Sequence, residues 1–188
     1  MNTDPKFLDR RPSAFIGGYQ FLTLDHLEIR MPITNDEFRR ALGHFASGVT
    51  VVCTRDKNGK LHGLTVSAFT SVSLDPPLVL VCIDKNRSSY QAFAESSLFS
   101  VNVLADDHEL VSRRFASNGL GKFEGVAHRI GKDGMPVLNG ALANLECRVV
   151  HAYEGGDHTI FVGQVETTHV KDGRPLIYFR GGYARLTI

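Results

Sequence analysis

Five hydroxyls crowd into the stretch GLTVSAFTSVSLDPPLVLVCID, which runs from Gly63 to Asp84: Thr65, Ser67, Thr70, Ser71 and Ser73. In a strand, alternation turns Thr65, Ser67 and Phe69 to one face and Val66, Ala68 and Thr70 to the other. Two readings are open. The segment is an edge strand with a solvated face, or its small residues let a flat ring lie against the backbone while amides and hydroxyls bond the ring's polar edge. Next along the chain, DKNRSS (Asp84 to Ser89) offers Lys85, Arg87, Ser88 and Ser89 at the expected start of a helix. There, amides and dipole favour a phosphate, although the same residues serve equally as an ordinary cap. A third focus is YEGGDHTIF, in which a Gly155-Gly156 turn sets Asp157 and His158 at the mouth of a strand pair. His158 is then either a ligand contact or a side chain satisfied within the fold.

Other patterns carry less. GLGKFEG, from Gly119 to Gly125, has the spacing G-x-G-x-x-x-G with no strand before it. It lacks the strand, tight turn and helix that a dinucleotide fingerprint needs, and reads as a loop. Walker, His-Glu-x-x-His and Cys-x-x-Cys motifs are missing from the sequence. His151 and His158 are placed to approach each other across a hairpin, but no third ligand suggests itself, so no metal site is expected.

Elements that could position these groups follow from periodicity. Thr34 to Glu37 spells a capping box, and Phe38, Ala41, Leu42 and Phe45 mark one apolar helix face, with Gly48 as its expected stop. Strands are expected at VTVVCT, Leu61 to Phe69, Leu78 to Ile83 and Leu98 to Leu104, with Asn58-Gly59 making a hairpin turn. A short helix is expected from Ser88-Ser89 through Ala94. A second, opened by an Asp106–Glu109 capping box, should end near Phe115. ALANLECRVVHAY and HTIFVGQVETTHV form a long hairpin, and RPLIYF closes a set of about seven strands. Few helices and hairpin connections argue for a mostly β antiparallel barrel.

The length of 188 residues favours one domain, and 43% hydrophobic with 22% charged residues is ordinary for a globular chain. A formal net charge of +1 gives no reason to expect nucleic acid. No apolar run approaches the roughly 20 residues of a membrane span. Cys53, Cys82 and Cys147 each sit in an apolar run, which suggests reduced, buried thiols in a cytoplasmic protein. Residues 1–33 read as an extension, an arm or partly disordered, and Met31 resembles an internal start.

Several segments in order carry a resemblance: FRRALGHFASGVTVV, GLTVSAFTSVSLDPPLVLVCI, SLFSVNVL, KFEGV, GGDHTIFVGQV and PLIYFRGGYARL. From about Phe38 to Leu186 the chain resembles the short-chain flavin reductases, the reductase components of two-component flavin-dependent monooxygenases, often of aromatic compounds. The resemblance implies an FMN-binding split β-barrel, Greek-key-like and with a few short helices, over residues 34–188. It implies a homodimer that uses NADH or NADPH, NADH favoured, and holds FAD or FMN loosely as a substrate. Reduced flavin is then released to a separate monooxygenase. Carried over to this chain, Thr65, Val66, Ser67, Ala68 and Phe69 line the isoalloxazine. Ser71, Val72, Ser73, Asp84, Lys85, Arg87, Ser88 and Ser89 serve ribityl and phosphate groups. Cys82, Tyr178 and Tyr183 are further cofactor contacts, and Phe123 is a flap or a core residue. Gly156, Asp157 and His158 meet the nicotinamide, with His158 as the catalytic contact that orients it. Two other classes stay open: an FMN-retaining oxidase of the split-barrel type, and a non-enzymatic flavin- or haem-binding module.

Overall fold

The computed structural model describes residues 33 to 186. The extension expected over residues 1–33 therefore lies, apart from Ile33, outside the described residues. Helix α1 (Asn35–Leu42) leads to a two-residue strand β1 (Ser47–Gly48). Strands β2 (Thr50–Arg55), β3 (Leu61–Val66), β4 (Phe69–Leu74) and β5 (Pro77–Asp84) follow. Helix α2 (Tyr90–Glu95), strand β6 (Leu98–Val103) and helix α3 (Glu109–Ala116) come next. The chain continues as β7 (His128–Ile130), β8 (Pro136–Leu138), β9 (Ala143–Gly155), β10 (His158–Val170), β11 (Leu176–Phe179) and β12 (Gly182–Arg185).

Seven strands form one antiparallel sheet in the order β3-β2-β6-β9-β10-β5-β4. Its two edges, β3 and β4, are joined only by Ser67 and Ala68. Laid flat, six strand spacings would part those edges by about 29 Å. Three residue steps span at most about 11 Å. The sheet must therefore curl, and its concave side encloses Val52, Leu64, Val66, Val81, Phe99 and Phe161 in one core. A second cluster, with Val51, Cys53, Leu104, Phe115 and Leu176 at its centre, lies between the sheet and α3. The expected split antiparallel barrel is thus what forms. A small sheet, β1-β11-β12, and the β7-β8 hairpin complete it.

Several local expectations need correction. α1 stops at Gly43, whose amide donates to the Arg39 carbonyl at 2.8 Å; Gly48 instead pairs with Ile177 in β1. The predicted apolar face exists, but Phe38, Leu42 and Phe45 are 53%, 54% and 78% exposed, uncovered among the described residues. The strand expected from Leu61 to Phe69 breaks at Ser67–Ala68, and this break turns the chain from one sheet edge to the other. Asp106 does not cap α3. It pairs with Arg174 at 3.0 Å, and His108 takes the cap position.

Candidate active site

The Ser67–Ala68 corner is the centre of the site. Phe69 N donates to the Ser67 carbonyl and Cys82 N to that of Ala68, which ties the corner to β5. On one side lies a groove of about 270 Å³ lined by Thr65, Ser67, Arg87, Tyr178 and Tyr183. On the other, a hollow of about 660 Å³ is lined by Ser67, Ala68, Phe69, Cys82, Tyr178 and the apolar face of α1. The two share Ser67 and Tyr178. Tyr178 and Tyr183 are a cross-strand pair, rings 5.5 Å apart and edge to face, on the β11–β12 hairpin. Arg180 (φ 49°) and Gly181 (φ 80°) make its turn, and positive φ at both positions is what a type I′ turn requires.

The crowded hydroxyls divide into two kinds. Thr65 Oγ1 donates to the Ser112 carbonyl at 2.6 Å, and buried Ser89 donates to the Gly63 carbonyl at 3.2 Å. Those two hold the fold. Ser67, Ser71, Ser73 and Ser88 make no side-chain hydrogen bond among the described residues, and of these Ser67 alone faces both hollows. Val66 points into the core. Ser71, Val72 and Ser73 lie farther along β4, across a bulge between Ser71 and Ser73 and away from both hollows. Helix α2 is six residues long, and Ser89 makes no side-chain cap bond to it.

A second cluster forms where the β9–β10 turn meets the end of β5. His158 pairs with Asp84 across the strands, and Lys85 N donates to the Asp157 carbonyl at 3.0 Å. The Lys85 ammonium reaches the Gly156 carbonyl at 2.8 Å and also the Glu154 carboxylate. That pairing raises the Lys85 pKa. His158 Nδ1–H donates to Asp157 Oδ1 at 2.7 Å, a hydrogen bond that holds the Asp157 carboxyl below its ordinary range. A carboxylate only accepts, so Nδ1 carries the proton and, in the neutral ring, Nε2 keeps its lone pair. On β5, Leu80, Cys82 and Asp84 share the outer face, opposite buried Val79, Val81 and Ile83. Cross-strand neighbours share a face, so His158 stands on the side that carries Cys82, about 7 Å farther along.

Arg87 links the groove to the loop after β5. Its Nε lies 3.5 Å from Asp84 Oδ2, and Nη1 lies 3.4 Å from the Ala116 carbonyl. Ser88 and Phe123 line a third, smaller hollow of about 100 Å³ with Lys122. Phe123 packs edge-on against Phe115 at 5.0 Å and His128 at 5.1 Å. Lys122 donates to the carbonyls of Gly63 and Phe115, both at 3.1 Å, and burial followed by the charge of Arg87 lowers its pKa. His151 pairs with Val162, well down the hairpin from His158, so the two histidines do not meet. Burial pushes all three thiols up, Cys147 to about 12, so none is a ready nucleophile. Sequence reasoning did not single out Ser112, Lys122 or Glu154. Glu154 stood inside the quoted Gly-Gly-Asp-His segment and Lys122 inside the quoted GLGKFEG and KFEGV, whereas Ser112 carried no local signal.

Residues 42–187 match the family model described as flavin reductase like domain. The FMN reductase (NADH) SmoA of Agrobacterium fabrum is 44% identical over 150 residues, covering 80% of this chain and 85% of that protein. The reductase component of 4-nitrophenol 4-monooxygenase/4-nitrocatechol 2-monooxygenase from Rhodococcus opacus is 41% identical over 155 residues, 82% of this chain and 83% of its own. Among solved structures, the Streptomyces globisporus NADH:FAD oxidoreductase in complex with NAD and FAD fragments superposes with a TM-score of 0.77 at 38% identity, over 81% of this chain and 92% of that one. With the barrel, the corner and the Gly-Asp-His turn all in one chain, the protein belongs to the flavin reductase-like domain family.

Proposed function

We propose that this protein is an NAD(P)H:flavin oxidoreductase, NADH favoured, which reduces FAD or FMN as loosely held substrates and hands reduced flavin to a separate monooxygenase. The observation that carries this reading is the junction of two hollows at Ser67 and Tyr178, with His158 on the same outer face as Cys82. Its residues suit a planar ring. The Ser67–Ala68 corner has little side-chain bulk, the Ser67 hydroxyl is uncommitted, and aromatic Tyr178 and Tyr183 flank the groove.

When both cofactors are bound, they supply the hydride transfer from nicotinamide C4 to flavin N5. The chain's part is to bind and orient. Thr65, Ser67, Ala68 and Phe69, with Cys82, Tyr178 and Tyr183, form the wall for the isoalloxazine. Arg87, Ser88 and the remaining donor of Lys85 face the phosphate end, whereas Ser71 and Ser73, paired with Val79 and Leu78 at the opposite end of β5, stand away from it. His158, fixed by Asp157, offers Nε2 to the nicotinamide nucleotide, and Phe123 borders the loop above. A monooxygenase of aromatic compounds is the expected recipient, as the 4-nitrophenol relative's name suggests. The working unit is a homodimer, supported by the family resemblance and by the apolar face of α1, uncovered among the described residues. Three unpaired cysteines suit a reducing, cytoplasmic setting.

The test is steady-state NADH oxidation with FAD, FMN and riboflavin supplied in turn. NADH absorbance should fall only when flavin is present. If saturating FAD and FMN both leave it unchanged, the reading is wrong.

A further inference from the structure

Helix α3 lies so close to β3 that a Cβ on Gly63 would sit 2.7 Å from a ring carbon of Phe115. Ser112 and Phe115, three residues apart, face the strand and are both fully buried. A serine inside a helix commonly turns its hydroxyl back to the carbonyl four residues earlier. Ser112 does not. Its Oγ meets the Tyr183 hydroxyl at 2.7 Å, and its carbonyl accepts from Thr65 Oγ1 at 2.6 Å. One buried residue thus holds two lining residues of the groove, which come from distant strands.

The Tyr183 ring has further restraints. The Arg113 guanidinium lies 4.8 Å from its centroid, with Arg113 itself paired to Glu109 at 2.7 Å, and Tyr178 meets it edge to face at 5.5 Å. Those contacts fix the ring plane. The direction of the phenol oxygen is left to Ser112.

We propose that Ser112 is a positioning residue for flavin binding: its hydroxyl and carbonyl set the spacing of Tyr183 and Thr65, and so the width of the slot that receives the ring. This rests on the functional reading above. Without the Ser112 hydroxyl the Tyr183 side of the slot must be ordered when the flavin binds, while the backbone carbonyl still holds Thr65, so the cost falls on affinity rather than on the chemical step.

The experiment compares wild type, Ser112→Ala, Tyr183→Phe and the double variant, using quenching of FMN fluorescence and NADH oxidation kinetics. Ser112→Ala should raise the Kd and KM for flavin about fivefold to tenfold, with kcat at saturating flavin unchanged. Tyr183→Phe should raise the flavin Kd by a similar factor, and the double variant should be no worse than either single, because both remove one shared hydrogen bond. Wild-type flavin affinity in folded Ser112→Ala, or effects that multiply in the double variant, overturns the proposal. Should Ser112→Ala fail to fold, Tyr183→Phe keeps the buried serine, and wild-type flavin affinity in that variant overturns it equally. A wild-type protein that quenches no flavin overturns the functional reading, and this inference with it.

Discussion

His158 shows what a single side chain can do at this site. Its ring is half-buried, its Nδ1–H is committed to Asp157, and Nε2 has no partner among the described residues. Such a group orients a neighbour by one hydrogen bond. His158→Ala should lower kcat/KM for NADH about tenfold, a modest loss because the ring is partly solvated, while flavin affinity by fluorescence quenching stays at the wild-type value. Unchanged NADH kinetics, or lost flavin binding, would place the histidine elsewhere in the machinery. The sign of the pH response also follows. The Asp157 carboxyl is depressed in the folded chain, so the pair's contribution is complete above the ordinary carboxylate range and is lost as pH falls through the depressed value. Asp157 therefore stays charged through the neutral range, and its titration does not alter NADH kinetics there. Gly-Gly-Asp-His could be read from the sequence because its four residues act within one turn. The Lys85 clamp on Glu154 could not, since its partner stands 69 residues away, and Thr65 finds its carbonyl 47 residues on.

At the scale of elements, the seating of α3 on β3 sets the geometry of the groove, and Gly63 permits it. An added methyl would lie 2.7 and 2.9 Å from Phe115 ring carbons and 3.3 Å from Cys53 Sγ, all within a buried cluster. Neither a strand nor a buried ring moves cheaply, so Gly63→Ala should cost about 1–3 kcal/mol, seen as a lower Tm in thermal denaturation. A Tm equal to wild type would mean that α3 can back away, and with it the wall of the groove. Long elements were the most legible. β9 and β10 carry thirteen residues each with a glycine turn between them, and a local pattern of that length survives tertiary context. Shorter ones were not. β4 is exposed over most of its length and shows no apolar alternation, β7 and β8 have three residues each, and β12 follows a turn whose first residue is arginine rather than glycine or asparagine. The missed β12 mattered most, because it carries Tyr183 to the groove.

For the whole molecule, the curl of the sheet follows from the two-residue Ser67–Ala68 link, so the barrel and the site corner are one feature. What the barrel leaves unresolved is α1. Eight residues make too short a helix to stand alone in water. Yet its Phe38 and Leu42, with Phe45 just beyond, project beside the larger hollow and are uncovered among the described residues. Full burial of each such side chain is worth about 1.5–3 kcal/mol. Six of them, three from each of two copies and still about three-fifths exposed, would contribute roughly 6–11 kcal/mol. Association itself costs about 4–15 kcal/mol, so this face is of the right order to decide a dimer but not to make it insensitive to change. Light scattering should therefore give twice the chain mass of 20.7 kDa. Phe38→Glu, which places a charge where an apolar partner should sit, should return the mass to 20.7 kDa with the barrel still folded by circular dichroism. A concentration-independent wild-type mass of 20.7 kDa refutes the homodimer. A Phe38→Glu protein that remains dimeric moves the interface to another face and leaves α1 to border the hollow alone.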